Sequence, residues 1–131
     1  AHAPSKVKAS VEAVKQQFPH RKFIAILELH TFSSLNKDFM DQYKSTMDQA
    51  DEAIVFYSNH ALELKRMQPL DPQQVKNGFQ KENLEVITEE KNLETRLKGE
   101  NPDNVNFLFM SSGNYDGMNI LTTLNINPQN F

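Results

Sequence analysis

Apolar residues recur at Val7, Val11, Val14 and Phe18, in steps of four, three and four, which places them on one face of a helix. The pattern predicts a first helix from Ser5 to Phe18, with Ser5 as its N-cap and Pro19 as its stop. The periodicity then changes. Lys22 to Leu29 is an almost continuous apolar run, the signature of a strand buried on both faces in a parallel sheet. Phe39, Tyr43 and Met47 return at steps of four beside Met40, so a second helix is expected from Asn36 to Gln49. Glu52 to Tyr57 reads as another buried strand. His60 to Met67 suggests a short helix ended by Pro69, and Asp71-Pro72 supplies an N-cap and first-turn proline for a helix with Val75 and Phe79 inward. Leu84 to Ile87 is a short third strand. Thr88 is expected to cap the next helix, which carries Leu93 and Leu97 inward and ends at Gly99. After a turn at Asn101-Pro102-Asp103, Val105 to Met110 forms a fourth strand and runs into Ser111-Ser112-Gly113-Asn114-Tyr115-Asp116-Gly117. The tail from Asn125 to Phe131 is polar and is expected to fray or lie on the surface.

Strands that alternate with helices imply βαβ units: an α/β domain of three layers, with a mostly parallel sheet covered on both faces. A length of 131 residues suits one domain with one core. A net charge of −3, with the basic residues dispersed among acids, gives no basic stripe for nucleic acid. No apolar run reaches the roughly 18 residues of a membrane span. The absence of cysteine excludes disulfides, thiolate zinc sites and a cysteine nucleophile. The chain opens in what reads as the end of a loop, without Met or leader, and is expected to be a fragment of a larger protein.

In open α/β sheets ligands bind beyond the C-terminal ends of the strands. Glu28, His30, Thr31, Ser33 and Ser34 follow the first strand, Ser58, Asn59 and His60 the second, and Ser111, Ser112, Gly113 and Asn114 the fourth. The last loop reads first as a tight turn, since Gly, Asn and Asp adopt positive φ at low cost, and second as a cradle of N–H groups for an anion. His30 reads as a structural histidine or as a ligand contact, and His60 as a surface residue. A single carboxylate at Glu28 is not a metal site, and no two histidines stand at i and i+4, so no metal centre is expected. No phosphate-binding Gly-x-x-x-x-Gly-Lys-Ser/Thr loop, no Gly-x-Gly-x-x-Gly and no Gly-x-Ser-x-Gly elbow occur, so neither tight nucleotide binding nor a catalytic nucleophile is assigned to the chain.

Three segments, in order, resemble the C-terminal domain of Mur ligases, the ATP-dependent amide-forming enzymes of peptidoglycan synthesis. Ala1-His2-Ala3-Pro4 is similar to the family's Ala-His-x-Pro turn into a helix, with the family's acidic residue falling just before Ala1. Phe23 to Thr31 resembles a family strand and its following loop, and Asp51-Glu52-Ala53-Ile54-Val55 a second one. Phe109 to Gly117 is similar to the Met-Ser-Asn-Gly loop of murein peptide ligases. The resemblance implies a Rossmann-like domain of a three-domain cytoplasmic enzyme. The N-terminal domain would bind UDP-N-acetylmuramate, and the central domain ATP with Mg²⁺. The C-terminal domain would bring the incoming amino acid or tripeptide to an acyl phosphate. On this likeness His2 lies at the nucleotide and interdomain cleft. His30, Thr31, Ser34, Ser111, Ser112 and Gly113 contact the incoming substrate. No catalytic residue and no cofactor fall within the isolated chain, which is expected to be inactive.

The chain also departs from the family. Muramate–alanine ligases carry two arginines in the loop after the first of these strands, where this chain has Thr31 and Ser34; Leu29 replaces the proline before His30, and Ala3 a second histidine. The Ser-Ser-Gly loop points instead to the branch that attaches a recycled tripeptide. A non-catalytic Rossmann- or flavodoxin-like binding module is the alternative.

Overall fold

The computed structural model describes residues 3–125. Helix α1 (Pro4–Gln17) leads into β1 (Lys22–Glu28), a 3₁₀ helix (Lys37–Tyr43), β2 (Glu52–Phe56), α2 (Asn59–Leu64), α3 (Pro72–Phe79), β3 (Glu85–Ile87), α4 (Glu90–Lys98), β4 (Val105–Met110), a 3₁₀ turn (Tyr115–Gly117) and α5 (Ile120–Thr123). The strands form one sheet in the order β3-β2-β1-β4, every pairing parallel. Ala25 of β1 stands opposite Ala53 of β2 and Leu108 of β4.

The sheet divides the core into two layers. On one face Phe23, Ala25 and Leu27 of β1 and Ala53 and Val55 of β2 pack with Val7 and Val11 of α1, Met40 and Tyr43 of the 3₁₀ helix, and Val75 and Phe79 of α3. On the other, Ile24, Ile26, Ile54 and Phe56 pack with Leu93 and Leu97 of α4, and with Tyr115, Met118 and Leu124. Both faces of β1 are therefore apolar and Phe23 through Glu28 are buried, which is why its sequence shows no alternation. The expected α/β, three-layer, Rossmann-like arrangement with helices on both faces is the one observed.

Four local expectations are corrected. The segment Asn36–Gln49 is not an α-helix. The Asn36 side chain accepts from Asp38 N at 2.9 Å and opens a 3₁₀ helix that ends at Tyr43; Ser45 then adopts φ 64°, where a right-handed helix cannot continue. Close packing against α3 accompanies this. A Cβ on Gly78 would lie 2.5 Å from Met40 Cγ and 2.7 Å from Met40 O, and the Tyr43 and Phe79 rings stack at 5.0 Å. Met40, Tyr43 and Met47 still point inward, so the spacing reported burial correctly and helix type wrongly. In α1 the N-cap is Ala3, not Ser5, because Pro4 has a fixed φ suited to the first turn and no N–H to satisfy. Phe18 falls outside that helix and is 41% exposed. Residue Glu89, not Thr88, precedes α4, with no side-chain cap. The short helix begins one residue earlier than expected and ends at Leu64, because Ser58 Oγ accepts from Ala61 N at 3.2 Å and Arg66 turns left-handed at φ 54°. The Asp71 cap of α3 is present, reinforced by a reciprocal bond from Asp71 N to Gln74 Oε1 at 2.9 Å. Of the polar tail, only Asn125 lies within the described residues.

Candidate functional site at the strand ends

Parallel strands deliver their C-terminal loops to one edge, and β1, β2 and β4 bring the polar segments named above to it. Glu28, the last residue of β1, is 2% exposed. Its Oε1 accepts from Ser111 Oγ at 2.5 Å and from Tyr115 N at 3.0 Å. Ser111 Oγ in turn accepts from Gly113 N at 2.7 Å. The loop after β4 is thus drawn down onto the end of β1 by one buried carboxylate.

Tyr115 locks the same loop from below. Its hydroxyl lies 2.9 Å from Ile26 O and 2.8 Å from Met110 O, and its ring packs edge-on to Phe109 at 5.7 Å. Burial, and secondarily the negative charge of Glu28, push its hydroxyl far above the ordinary phenol pKa, so it is a neutral donor. Tyr115 and Asp116 both take left-handed backbone (φ 54° and 55°) and Gly117 follows at φ 86°; two consecutive non-glycine residues in that region are strained and held there by their surroundings. These anchors settle much of the ambiguity of the loop. The N–H groups of Gly113, Tyr115 and Gly117 each face a protein acceptor, with a carboxylate beneath, so they act as turn-forming groups rather than an open anion cradle.

Gly113 is tightly apposed to His30. A Cβ there would lie 2.7 Å from Glu28 Oε1 and 2.8 Å from His30 Cγ, so only glycine lets the loop close over this ring. Ser111, Gly113 and His30 are therefore neighbours, and Ser112 sits exposed at the loop crest.

Thr31 and Ser34 form a closed pair beside them. Thr31 N and Oγ1 each donate to Ser34 Oγ at 3.0 Å, Ser34 N donates to Thr31 Oγ1 at 3.0 Å, and Ser34 Oγ donates to Thr31 O at 3.2 Å. Every donor of the pair is engaged, and Ser34 is 1% exposed. Thr31, Ser33 and Ser34 nevertheless line a cleft of about 370 Å³ with Ala3, Pro4, Phe39 and Tyr43. His2 lies outside the described residues. Ser58 is occupied as the cap of α2, and Asn59 and His60 are exposed on that helix.

Between Thr31 and Ser33 stands a residue that no sequence motif singled out. Phe32 is 63% exposed, with Lys65 Nζ 5.0 Å from its ring centroid. The anchoring role of Tyr115 was missed as well. A tyrosine inside a run of Ser, Gly, Asn and Asp was the available signal, because a bulky ring in so polar a loop needs somewhere to be buried. Among the described residues no group of three or more His, Asp or Glu side chains could hold a metal ion, and no helix is long and apolar enough to cross a membrane.

No protein-family model matches the chain. Solved structures do match it in shape. One is a domain assigned to a UDP-N-acetylmuramate:L-alanyl-γ-D-glutamyl-meso-diaminopimelate ligase of Haemophilus ducreyi, with TM-score 0.60 and 18% identity over 95% of this chain and 82% of that one. Another is the murein peptide ligase of Psychrobacter arcticus, with TM-score 0.68 and 17% identity over 95% of this chain and 26% of that one. The chain shares their fold. It spans about a quarter of the Psychrobacter ligase, so the size of the match is that of one domain of a longer enzyme.

Proposed function

We propose that this chain is the C-terminal domain of an ATP-dependent ligase that joins an incoming amino acid or peptide to UDP-N-acetylmuramate, with a recycled tripeptide as the favoured amine substrate. The observation that carries the reading is the apposition of Gly113 to His30 above Glu28, at the C-terminal sheet edge of a fold shared with two such ligases. Two independent loops are held there in fixed register by a buried carboxylate, which is how a scaffold prepares a binding wall.

In this reading His30 and Ser112 face the incoming substrate. The Thr31–Ser34 pair holds the neighbouring loop in shape along the cleft beside Ala3 and Pro4. His2, outside the described residues, is assigned to the nucleotide and interdomain cleft by the family resemblance alone. Peptide carboxylates would be met by neutral donors and by the interdomain partner, since no arginine stands in this loop. ATP and Mg²⁺ supply the activated acyl phosphate and belong to the central domain. The described strand ends do not fit the metal, because Glu28 already accepts from Ser111 and Tyr115 and no second carboxylate joins it among the described residues. The amine nitrogen forms the bond to the acyl carbon as phosphate leaves, and this domain contributes the position of that amine rather than a reacting group. The partners are the enzyme's own N-terminal and central domains, and its compartment is the cytoplasm.

The test uses the full-length parent protein. Phosphate release from ATP is followed with UDP-N-acetylmuramate and either L-alanine or the L-Ala-γ-D-Glu-diaminopimelate tripeptide. Release with the tripeptide alone is expected. Release with alanine alone would move the protein to the biosynthetic branch, and release with neither would return it to the binding-module alternative.

A further inference from the structure

Fixed positive charge is scarce at the C-terminal edge of the sheet. The loops after β1 (residues 29–36) and after β4 (residues 111–114) contain no lysine or arginine. The segment after β2 supplies both. Helix α2 is six residues long, and Lys65 and Arg66 stand at its C-terminal end. Arg66 is exposed. Lys65 is half-buried and reaches across to the loop after β1, where its Nζ stands 5.0 Å from the centroid of the Phe32 ring. Among the described residues Lys65 pairs with no carboxylate.

As packing, this arrangement is poor. Phe32 is 63% exposed, and Leu64 beside Lys65 is 71% exposed. Burying a phenylalanine is worth about 1.5–3 kcal/mol, and a cation over an exposed ring returns only about 0.5–1 kcal/mol. For binding it is well made. The ring restricts the lysine stem, and a ring face leaves the outer N–H donors of the ammonium open to an anion. The pair also stands beside the candidate site. Phe32 lies between Thr31 and Ser33, which line the cleft next to Ala3 and Pro4. It is two residues from His30, at most about 7 Å along the backbone. An extended tripeptide is about 10 Å long. A peptide with its amine end at His30 therefore brings its far end within reach of Lys65.

We propose that Lys65, positioned by the ring of Phe32, binds a carboxylate at the far end of the incoming peptide. It adds one full charge to the neutral donors of the strand-end loops and makes a longer, acidic peptide a better substrate than a single amino acid. Lys65 is a specificity residue and takes no part in the bond-forming step. The inference rests on the ligase reading given above.

Steady-state kinetics of the full-length parent test it, with the L-Ala-γ-D-Glu-diaminopimelate tripeptide and with the same peptide amidated at its diaminopimelate carboxylates. Lys65→Met keeps the stem over the ring and removes the charge. It should raise KM for the tripeptide about tenfold, with kcat within about twofold, the loss expected for one hydrogen bond to a charged group. Lys65→Arg should restore most of the affinity. For the amidated peptide, wild type and Lys65→Met should have the same KM. Equal KM for the tripeptide in both proteins would overturn the inference while leaving the ligase reading intact. So would an equal loss with both peptides, which would make the role of Lys65 structural. A rise in KM for ATP or UDP-N-acetylmuramate instead would assign the lysine to a phosphate and also overturn it. A wild-type protein that turns over neither peptide would fail the ligase reading itself, and this inference with it.

Discussion

Ser111, just beyond β4, donates to Glu28 at the end of β1 across 83 positions of sequence, at 2.5 Å. That bond, together with the Tyr115 N–H on the same carboxylate oxygen, ties the loop after β4 to the end of β1, beside the contact of Gly113 with His30. Glu28→Ala removes the shared acceptor and leaves the buried Tyr115 N–H without a partner. The expected cost is about 2–3 kcal/mol in urea unfolding. Ser111→Ala, which leaves the Tyr115 bond in place, should cost about 1 kcal/mol. Amide exchange in residues 111–117 should rise with Glu28→Ala; unchanged exchange would show that the carboxylate does not hold the loop.

Gly113→Ala places a methyl group 2.7 Å from Glu28 Oε1 and 2.8 Å from His30 Cγ. Either the His30 ring or the loop must move. A destabilisation of about 1–3 kcal/mol is expected, with displaced His30 ring resonances in NMR. Gly117→Ala is a useful contrast: it has open space but φ 86°, so its penalty is backbone strain and His30 should not move.

Alkaline pH should unfold the protein earlier than its charge alone suggests. Burial raises the Tyr43 and Tyr57 hydroxyls to about 12, with the charge of Asp71 adding to the effect on Tyr57, and raises Tyr115 further still. In the unfolded chain these groups ionise near the ordinary value of about 10. Above it the unfolded state binds fewer protons than the folded one, so stability falls as pH rises. Stability should be level below about pH 10 and decline between about 10 and 12. Tyr115→Phe loses the hydroxyl bonds to Ile26 and Met110 and should lower stability at neutral pH by about 1–2 kcal/mol while making the alkaline decline shallower. A decline of the same slope in wild type and variant would show that Tyr115 does not contribute to it.

In the full-length parent, His30→Ala should raise KM for the incoming amine substrate several-fold, about 1 kcal/mol or more of lost binding, while ATP affinity stays within twofold. An unchanged KM with normal kcat would remove His30 from the amine wall. Phe32→Ala, at a position 63% exposed, should change the isolated domain's stability by less than about 0.5 kcal/mol.

The four strands and their parallel character were legible in the sequence, because strands buried on both faces lose their polar alternation and helices stand between them; their order in the sheet came from the structure. Which residues turn inward was legible too, even at Met40, Tyr43 and Met47, where the expected α-helix is absent. Helix type there was decided by packing against Gly78 and Phe79, residues remote in sequence, and no local propensity reports a close approach of that kind. The strand-end loops could be named from the sequence as polar segments that converge. What only the tertiary structure decided is how their polar atoms are occupied. Glu28 lies under a loop 83 positions away, Thr31 and Ser34 bond each other, and Tyr115 is folded beneath the loop it belongs to. Hydrogen-bond partners are chosen by distance in space once a group is out of water, and residue type along the chain limits that choice without making it.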